Sequence, residues 1–554
     1  MVWAKLTEGL GESLRRAGWL MDERLGRLEL AVPRDPAHGD WTTNLALLLA
    51  RELSMPPRAV AEKLAAGFPA DASTWSSVEV AGPGFLNFTY SDAFLRGLPA
   101  AVRAGGETFG HGPHDPGTRV QVEYVSANPT GPLNVVNGRA AAVGAALVRL
   151  LEATGHRAEG EFYVNDTGAQ VEVFGESLAA RFAERAGIER AFPENGYQGE
   201  YVRDLGRELP PAEARRALGE PGGSAWFRDH GLELMLERQR SDLDQYGAVF
   251  SNWFRESTLH RSGAVARTLE ALEERGVVYE AEGARWVRTT AFGDDKDRVV
   301  VRSNGVATYL LPDVAYHRDK RARGFRSAID LWGPDHHGHI LPLKAALDAL
   351  GLEPDFLEVI IVQQVNLLAG GEPVKMSKRA GEFITLRDLM DEVGPDCAKF
   401  FFLLRSTSAH LDFDLDLAKQ QNDENPTYYV QYAHARIASI LRFASERGLE
   451  PARGPIPVEA AEERALLRKL AAFPEVVRGA AVAREPHRLP AYLMETAALF
   501  HRFYHVCRVV SEDRERSRAR IAIVDATRIV LRNGLGLMGV TSPERMERDA
   551  ESVA

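Results

Sequence analysis

The stretch that most limits the fold is residues 118–164. There "TRVQVEYVSA" reads as a strand, "GRAAAVGAALVRLLEATG" as a long helix and "AEGEFYV" as a second strand. Two strands joined through a crossover helix run parallel, and a parallel sheet must be covered on both faces. The chain is therefore expected to build an α/β domain around this βαβ unit. Gly155 stands where the helix should stop, and Gly144 permits that helix to close on a sheet. Between the first strand and the helix lies "NPTGPLNVVNGR". A turn from a strand's carboxyl end into a helix's amino end favours an anion, through free backbone N–H groups and the helix dipole. Pro129, Gly131 and Pro132 shape the turn, and Asn134 and Asn137, three apart, project from one side of the first helical turn. The Gly-Lys dipeptide of the common phosphate loop occurs nowhere, so a different nucleotide site is expected.

A length of 554 residues exceeds what one hydrophobic core supports, and three regions are expected. Residues 1–104 alternate helix-like stretches, such as "WTTNLALLLAREL", with the strand-like "SSVEVAGPGFLNFTY", where Val78, Val80, Phe85 and Phe88 suit a half-buried sheet. This is read as a small α+β module. "GGETFGHGPHDPG", residues 105–117, reads as a linker. Residues 118–393 carry the α/β signal, interrupted at about 171–300 by less regular polar helices that read as an insertion. The signal returns with "SAIDLWG" and "FLEVIIVQQV", whose run 359–362 suits a strand buried on both faces. Residues 394–554 are helical at a period of 3.6 and should form an all-α bundle.

A second motif, "GGEPVKMSKRAGEFITL", follows the last of those strands. Gly370, Gly371 and Gly381 allow its backbone to move, so that Lys375 and Lys378 can reach phosphates as charge builds on a departing pyrophosphate. Alone, such a cluster would read as a solvated basic loop; paired with the upstream turn it points to triphosphate chemistry. The composition excludes several alternatives. A net charge of −11 argues against general adhesion to nucleic acid, including DNA, while leaving room for a local RNA-binding face. Only Cys397 and Cys507 are present, too few for a disulfide framework. Nothing reads as a membrane span. Lys5 and Glu8 fall inside what would be the apolar region of a signal peptide, so a cytoplasmic protein is expected. No heptad seam is apparent, and a monomer is expected.

Taken together, these motifs resemble those of the arginyl-tRNA synthetases, within class I of the aminoacyl-tRNA synthetases. "SANPTGPL…GR" is similar to that family's extended first signature and "VKMSKRAGEFITL" to its second. Further similar stretches are "FYVNDTGAQ", "TYLLPDVAYHRDK", "LWGPDHHGH", "HLDFDLDLAKQQNDENPTYYVQYAHARIASIL", "HGDWTTNLA" and "AGPGFLNF". The resemblance runs from about residue 30 to about residue 546. It implies a Rossmann-type catalytic domain between an N-terminal module that reads the tRNA elbow and a C-terminal anticodon-binding bundle. It also implies ATP-dependent activation of arginine to arginyl-adenylate, followed by transfer to the arginine tRNA. Magnesium accompanies the ATP, and no structural metal is expected, since the cluster His336, His337 and His339 has no cysteine nearby.

By the same resemblance, Lys378, supported by Lys375, and with Asn134 and Asn137, is assigned to catalysis. Gly131, Asn134, Asn137, Met376, Ser377 and Lys378 face ATP. Glu123, Tyr309 and Asp313 take the guanidinium; Asn128 and His336 take the α-amino end. The residues themselves leave other readings open: an ion pair within the sheet for Glu123, and a helix N-terminal acid for Asp313. Phe85 and Asn87 are assigned to the tRNA elbow, and Tyr428, Tyr432 and Arg436 to the anticodon, with core packing as the alternative for the aromatic residues.

The chain departs from the family pattern at the first signature. Asn134, Val135, Val136 and Asn137 stand where the family carries histidine, a small residue, glycine and histidine. An asparagine donates an amide N–H but carries no charge. Val136 is expected to intrude where glycine would let adenine lie against the backbone. An arginine-tRNA ligase is the reading of choice. The alternative is a catalytically weak paralogue that binds tRNA or arginine as a regulator or adaptor.

Overall fold

The computed structural model describes residues 2–19, 30–33, 35, 38–69, 71–112, 117–374 and 384–546. Its N-terminal part is an antiparallel sheet in the order β1-β2-β4-β3, formed by β1 (Leu30–Ala31), β2 (Trp41–Thr43), β3 (Trp75–Ala81) and β4 (Phe85–Tyr90). Two helices, Leu45–Ala50 and Pro57–Gly67, pack on it, and Val2–Arg16 packs against the second of them. "WTTNLALLLAREL" is thus not one helix. Its first three residues pair with β4, and Thr43 Oγ1 accepts the Leu45 N–H at 3.2 Å where the helix begins. Fully buried Phe88 sits between the rings of Phe68 and Trp75, at 5.2 and 5.5 Å.

The stretch expected to be a linker is tied down over its first part. The helix Asp92–Gly105 reaches into it, and Phe109 is buried. Asn533 donates to the carbonyls of Gly106 and Phe109, both at 2.9 Å, and Arg103 pairs with Asp525 at 2.9 Å. These bonds fasten the end of the N-terminal region to the C-terminal helix Arg514–Leu537.

The centre is a five-stranded sheet, all parallel, in the order β12-β11-β5-β6-β7. Its first members are β5 (Arg119–Glu123), β6 (Arg157–Val164) and β7 (Asn252–Arg255). A small antiparallel sheet, β8 (Val278–Ala281), β9 (Ala284–Val287) and β10 (Arg298–Val301), follows before the chain returns to β11 (Ser327–Trp332) and β12 (Leu357–Ile361). Two sequence expectations change here. The segment read as an insertion is partly structural, because β7 lies inside it as an edge strand. And β12 is the opposite edge rather than a strand buried on both faces: Val359, Ile360 and Ile361 are only half-buried. An apolar run does not distinguish the two, since a helix or loop can cover one side of an edge.

The chain runs outward from β5 through β6 to β7, then crosses back to place β11 on the other side of β5. Beyond the carboxyl ends of β5 and β11 the order reverses, which is where open α/β sheets bind ligands. The β5–β6 crossover helix, Val135–Ala153, packs Ala141, Ala142, Ala146 and Leu147 against the sheet. Gly144 lets it approach closely, for a Cβ there would lie 2.2 Å from Cγ of buried Tyr124. The helix ends at Gly155, whose φ of +94° suits only glycine without strain. The helices Pro426–Ser445, Ala461–Val482, Arg488–Val506 and Arg514–Leu537 form the C-terminal bundle. Among the described residues no helix is long and apolar enough to cross a membrane.

Candidate active site

The turn after β5 opens with Val125 and Ser126 and runs to Leu133, which is fully buried. Asn134 then caps the helix. Its Oδ1 accepts the N–H groups of Val136 and Asn137 at 3.0 and 3.1 Å, while Asn137 Oδ1 accepts the Asn134 N–H at 3.0 Å. This reciprocal pair corrects the expectation of a bare helix mouth. The backbone donors nearest the mouth are taken by side-chain oxygens. With both oxygens engaged, each Nδ2 is left as a neutral donor, and both side chains line a cavity of about 1030 Å³. Val136 does not line that cavity; it packs half-buried against the main core.

Four parts of the chain wall the cavity: the turn, with Asn128 and Gly131; Gln170; Tyr197 and Tyr201 from the segment between β6 and β7; and His336 from the segment after β11. Asn128 Nδ2 donates to Gln170 Oε1 at 2.7 Å. The residues of the second motif, Lys375, Met376, Ser377 and Lys378, lie outside the described residues. Both flanks of that motif are described. Before it, β13 (Val365–Ala369) turns through Gly370 and Gly371 into β14 (Glu372–Pro373), and β13 pairs in parallel with β15 (Leu411–Asp414). After it, Thr385 forms an antiparallel bridge with Asn134, and Leu386 N–H donates to the Leu133 carbonyl at 2.8 Å. Arg139, fully buried on the signature helix, donates to the carbonyls of Gln363, Ser406 and Ala409 at 2.9, 2.8 and 3.0 Å. Both flanks of the lysine-bearing stretch are thus tied to the turn and helix of the first motif.

The residues expected to take the guanidinium are placed differently from one another. Asp313 Oδ2 is 2.7 Å from His339 Nε2, and the Tyr309 ring, 71% exposed, lies 4.9 Å from the His339 ring. Trp332 stacks on His339 at 5.8 Å. Glu123 is buried, its Oε2 accepts from Lys320 Nζ at 2.7 Å, and its Oε1 accepts from Ser126 Oγ at 3.0 Å. The ion pair the fold builds there joins the sheet to the helix Leu310–Ala322, which carries Lys320. Lys320 also donates to Asp330 Oδ1 at 2.8 Å, and Asp330 Oδ2 lies 2.9 Å from His317 Nε2. Burial pushes Glu123 upward by more than Lys320 pulls it down. Burial also pushes Asp330 upward, but Lys320 and His317 outweigh it and hold that carboxyl down at about 2. Beside this cluster, burial and then the carboxylates of Glu256 and Asp313 drive the Tyr163 hydroxyl far above its ordinary value, so it stays protonated.

Sequence reasoning passed over Lys320, His317 and Gln170 although all three lie in stretches it singled out. It gave no sign of Tyr201 or Gln239. Their partners are backbone carbonyls far away in sequence, which leave no local pattern.

The residues expected to meet tRNA divide into surface and core. Phe85 is 37% exposed, whereas Asn87, two residues on and so on the same face of β4, is buried where it pairs with Thr42 and Glu79. Tyr428 is also buried, stacked on Tyr432 at 5.9 Å, so it belongs to the core. Tyr432 and Arg436 line a groove of about 1190 Å³ with Arg442, Tyr504 and Arg508, and the Arg436 guanidinium lies 4.7 Å over the Tyr504 ring.

Comparison with known proteins gives one answer along the chain. Residues 4–90 match the model described as the arginyl tRNA synthetase N terminal domain. Residues 234–399 match that of the class I (R) tRNA synthetase catalytic domain, and residues 430–546 that of the DALR anticodon binding domain. The arginine–tRNA ligase of Geobacillus kaustophilus is 44% identical over 549 residues, covering 98% of each chain. That of Moorella thermoacetica is 46% identical over 550 residues, again 98% of each. The crystal structure of the Thermus thermophilus arginyl-tRNA synthetase has the same fold, with a TM-score of 0.80 at 23% identity over 99% of this chain and 100% of that one. With matches of this length and identity, the chain belongs to the arginyl-tRNA synthetases of class I.

Proposed function

We infer that this arginine–tRNA ligase carries out its reaction in the cavity between the first-signature turn and His336. Arginine's carboxylate attacks the α-phosphorus of ATP and displaces pyrophosphate. The terminal ribose hydroxyl of the tRNA then attacks the arginyl carbonyl and releases AMP. Catalysis of this kind rests on positioning and on stabilising phosphate charge. The Nδ2 groups of Asn134 and Asn137 donate to phosphate oxygens beside Gly131. Met376, Ser377 and Lys378, with Lys375, face the triphosphate, and Mg²⁺ accompanies it.

The observation that carries this reading is the Asn134–Thr385 bridge with the Leu386–Leu133 hydrogen bond. It brings the C-terminal flank of the second motif to the mouth of the first. On the arginine side, Asp313 and Tyr309 receive the guanidinium, and Asn128 and His336 the α-amino end. Glu123 contributes from beneath as half of its ion pair. Residues 1–104 read the tRNA elbow through the exposed Phe85 ring. Residues 118–393 hold the chemistry, and residues 394–554 read the anticodon along the groove of Tyr432 and Arg436. The enzyme works as a cytoplasmic monomer.

The test is exchange of labelled pyrophosphate into ATP, dependent on arginine and tRNA. The expected result is exchange that Lys378→Ala reduces by about a hundredfold or more, as loss of a charge-stabilising group does. Exchange equal to that of the Lys378→Ala variant, with tRNA binding intact, would instead make the chain an adaptor.

A further inference from the structure

The backbone entering the cavity is strained. Val125 and Ser126 have φ of +70° and +40°, a region in which a β-branched residue is a steric outlier. Such residues persist only where their surroundings over-determine them. On the sheet side the hold is local. Ser126 N–H donates to the Tyr124 carbonyl at 3.0 Å, and Ser126 Oγ donates to Glu123 while accepting the Tyr163 N–H at 3.1 Å.

On the far side the hold comes from helices between β6 and β7. Gln239, on the helix Gly223–Tyr246, donates through Nε2 to the carbonyls of Gly131 and Asn128 at 2.8 and 3.2 Å. Tyr201, on the helix Glu200–Glu208, donates its hydroxyl to the Thr130 carbonyl at 2.8 Å.

Gln239 is a poor choice for stability alone. It is 1% exposed, and its Oε1 is buried with no partner among the described residues. A buried acceptor left unpaired is costly, and methionine would fill a similar volume without that cost. What the amide supplies, and methionine does not, is a donor shared by two turn carbonyls.

We propose that Gln239 and Tyr201 are positioning residues for arginine activation, clamping turn 125–132 in the strained shape that receives the amino acid and the triphosphate. The proposal rests on the cavity being the site of activation. It gives the helices between β6 and β7 a part in the reaction: they form the outer jaw, while Ser126 with β5 and β6 forms the inner one. Gln239 acts wholly through the turn, since it does not line the cavity, whereas Tyr201 both lines it and bonds to the turn.

The test uses Gln239→Met and Tyr201→Phe in the full chain, each removing a donor at nearly constant volume. The expected result is that KM for ATP and for arginine rises about tenfold or more, as small misplacements of substrate do, while tRNA affinity and the unfolding midpoint stay at parent values. Because both residues hold one turn, the double variant should depart from the product of the single effects. KM values equal to the parent's in both single variants would overturn the clamp. So would kcat, KM and tRNA affinity worsening together in step with the loss of folded protein. Asn137→Ala and Lys378→Ala are measured alongside. If these are impaired while the two clamp variants are not, the clamp alone fails; if all four match the parent, the cavity assignment fails and the clamp with it.

Discussion

Replacing Lys320 by methionine tests how the floor of the site is held. The Lys320 ammonium, with a side chain of zero exposure, lies 2.7 Å from Glu123 and 2.8 Å from Asp330. Methionine occupies a similar volume, so little cavity forms, and the loss is electrostatic. Breaking a buried pair by removing one partner costs about 3–5 kcal/mol, because the charge left behind has no compensation. Here two carboxylates are left, and the upper part of that range is expected near neutral pH.

The pH dependence follows from the directions of the shifts. With Lys320 present, Asp330 is held low, so its contribution is present above its unfolded value and is lost as pH falls through about 2. Glu123 is raised, so its contribution is present below its unfolded value and is lost as pH rises through its folded one. Without Lys320, Glu123 loses its main opposing charge and is raised further by burial, while Asp330 keeps only His317 to oppose burial and shifts upward. The penalty of the variant should therefore be smallest at pH about 4 and grow toward pH about 7.5, since the unfolded carboxylates titrate near 4. Urea unfolding of parent and variant at several pH values measures it. The triple variant Lys320→Met, Glu123→Gln, Asp330→Asn should regain most of the loss near neutral pH. A Lys320→Met deficit under about 1 kcal/mol at pH 7.5, or one independent of pH, would refute the reasoning, since a buried pair broken on one side should cost several times that.

Three further outcomes follow from the same geometry. Gly144→Ala sets helix propensity, a gain of about 1 kcal/mol, against a Cβ 2.2 Å from Tyr124 Cγ. Overpacking costs about 1–3 kcal/mol, so the variant should unfold at lower urea, and a stabilised variant would show that the ring yields freely. Asn137→Ala removes the acceptor for the Asn134 N–H; thermal unfolding should fall by the equivalent of about 1 kcal/mol, with KM for ATP rising and tRNA affinity unchanged. Arg436→Ala should weaken tRNA binding and reduce the slope of log affinity against log salt by about one ion contact, whereas Tyr428→Phe, in the core, should leave both at parent values in a filter-binding titration.

The order of strand, turn and helix around residues 118–164 was legible because hydrophobic period and glycine placement are local properties. So was the C-terminal bundle, whose helices repeat a 3.6-residue pattern over long stretches. The candidate site was legible only in part. Asn134, Asn137 and Asp313 sit at helix starts that their neighbours mark, and the cavity forms at the two asparagines. Glu123 reads equally as a ligand or as half of an ion pair until Lys320 is placed 2.7 Å away from a helix nearly 200 residues later.

Motif chemistry and periodicity depend on near neighbours along the chain, so the central strand–helix–strand unit, the C-terminal helices and the family could be read from residue order alone. Which polar groups are already spent follows only from the packing of distant segments. The asparagine oxygens cap a helix, Tyr428 is buried, and Gln239 and Tyr201 reach across to carbonyls of the turn. Hydrogen-bond capacity is a property of what surrounds a group in space, and those surroundings exist only once distant segments have packed.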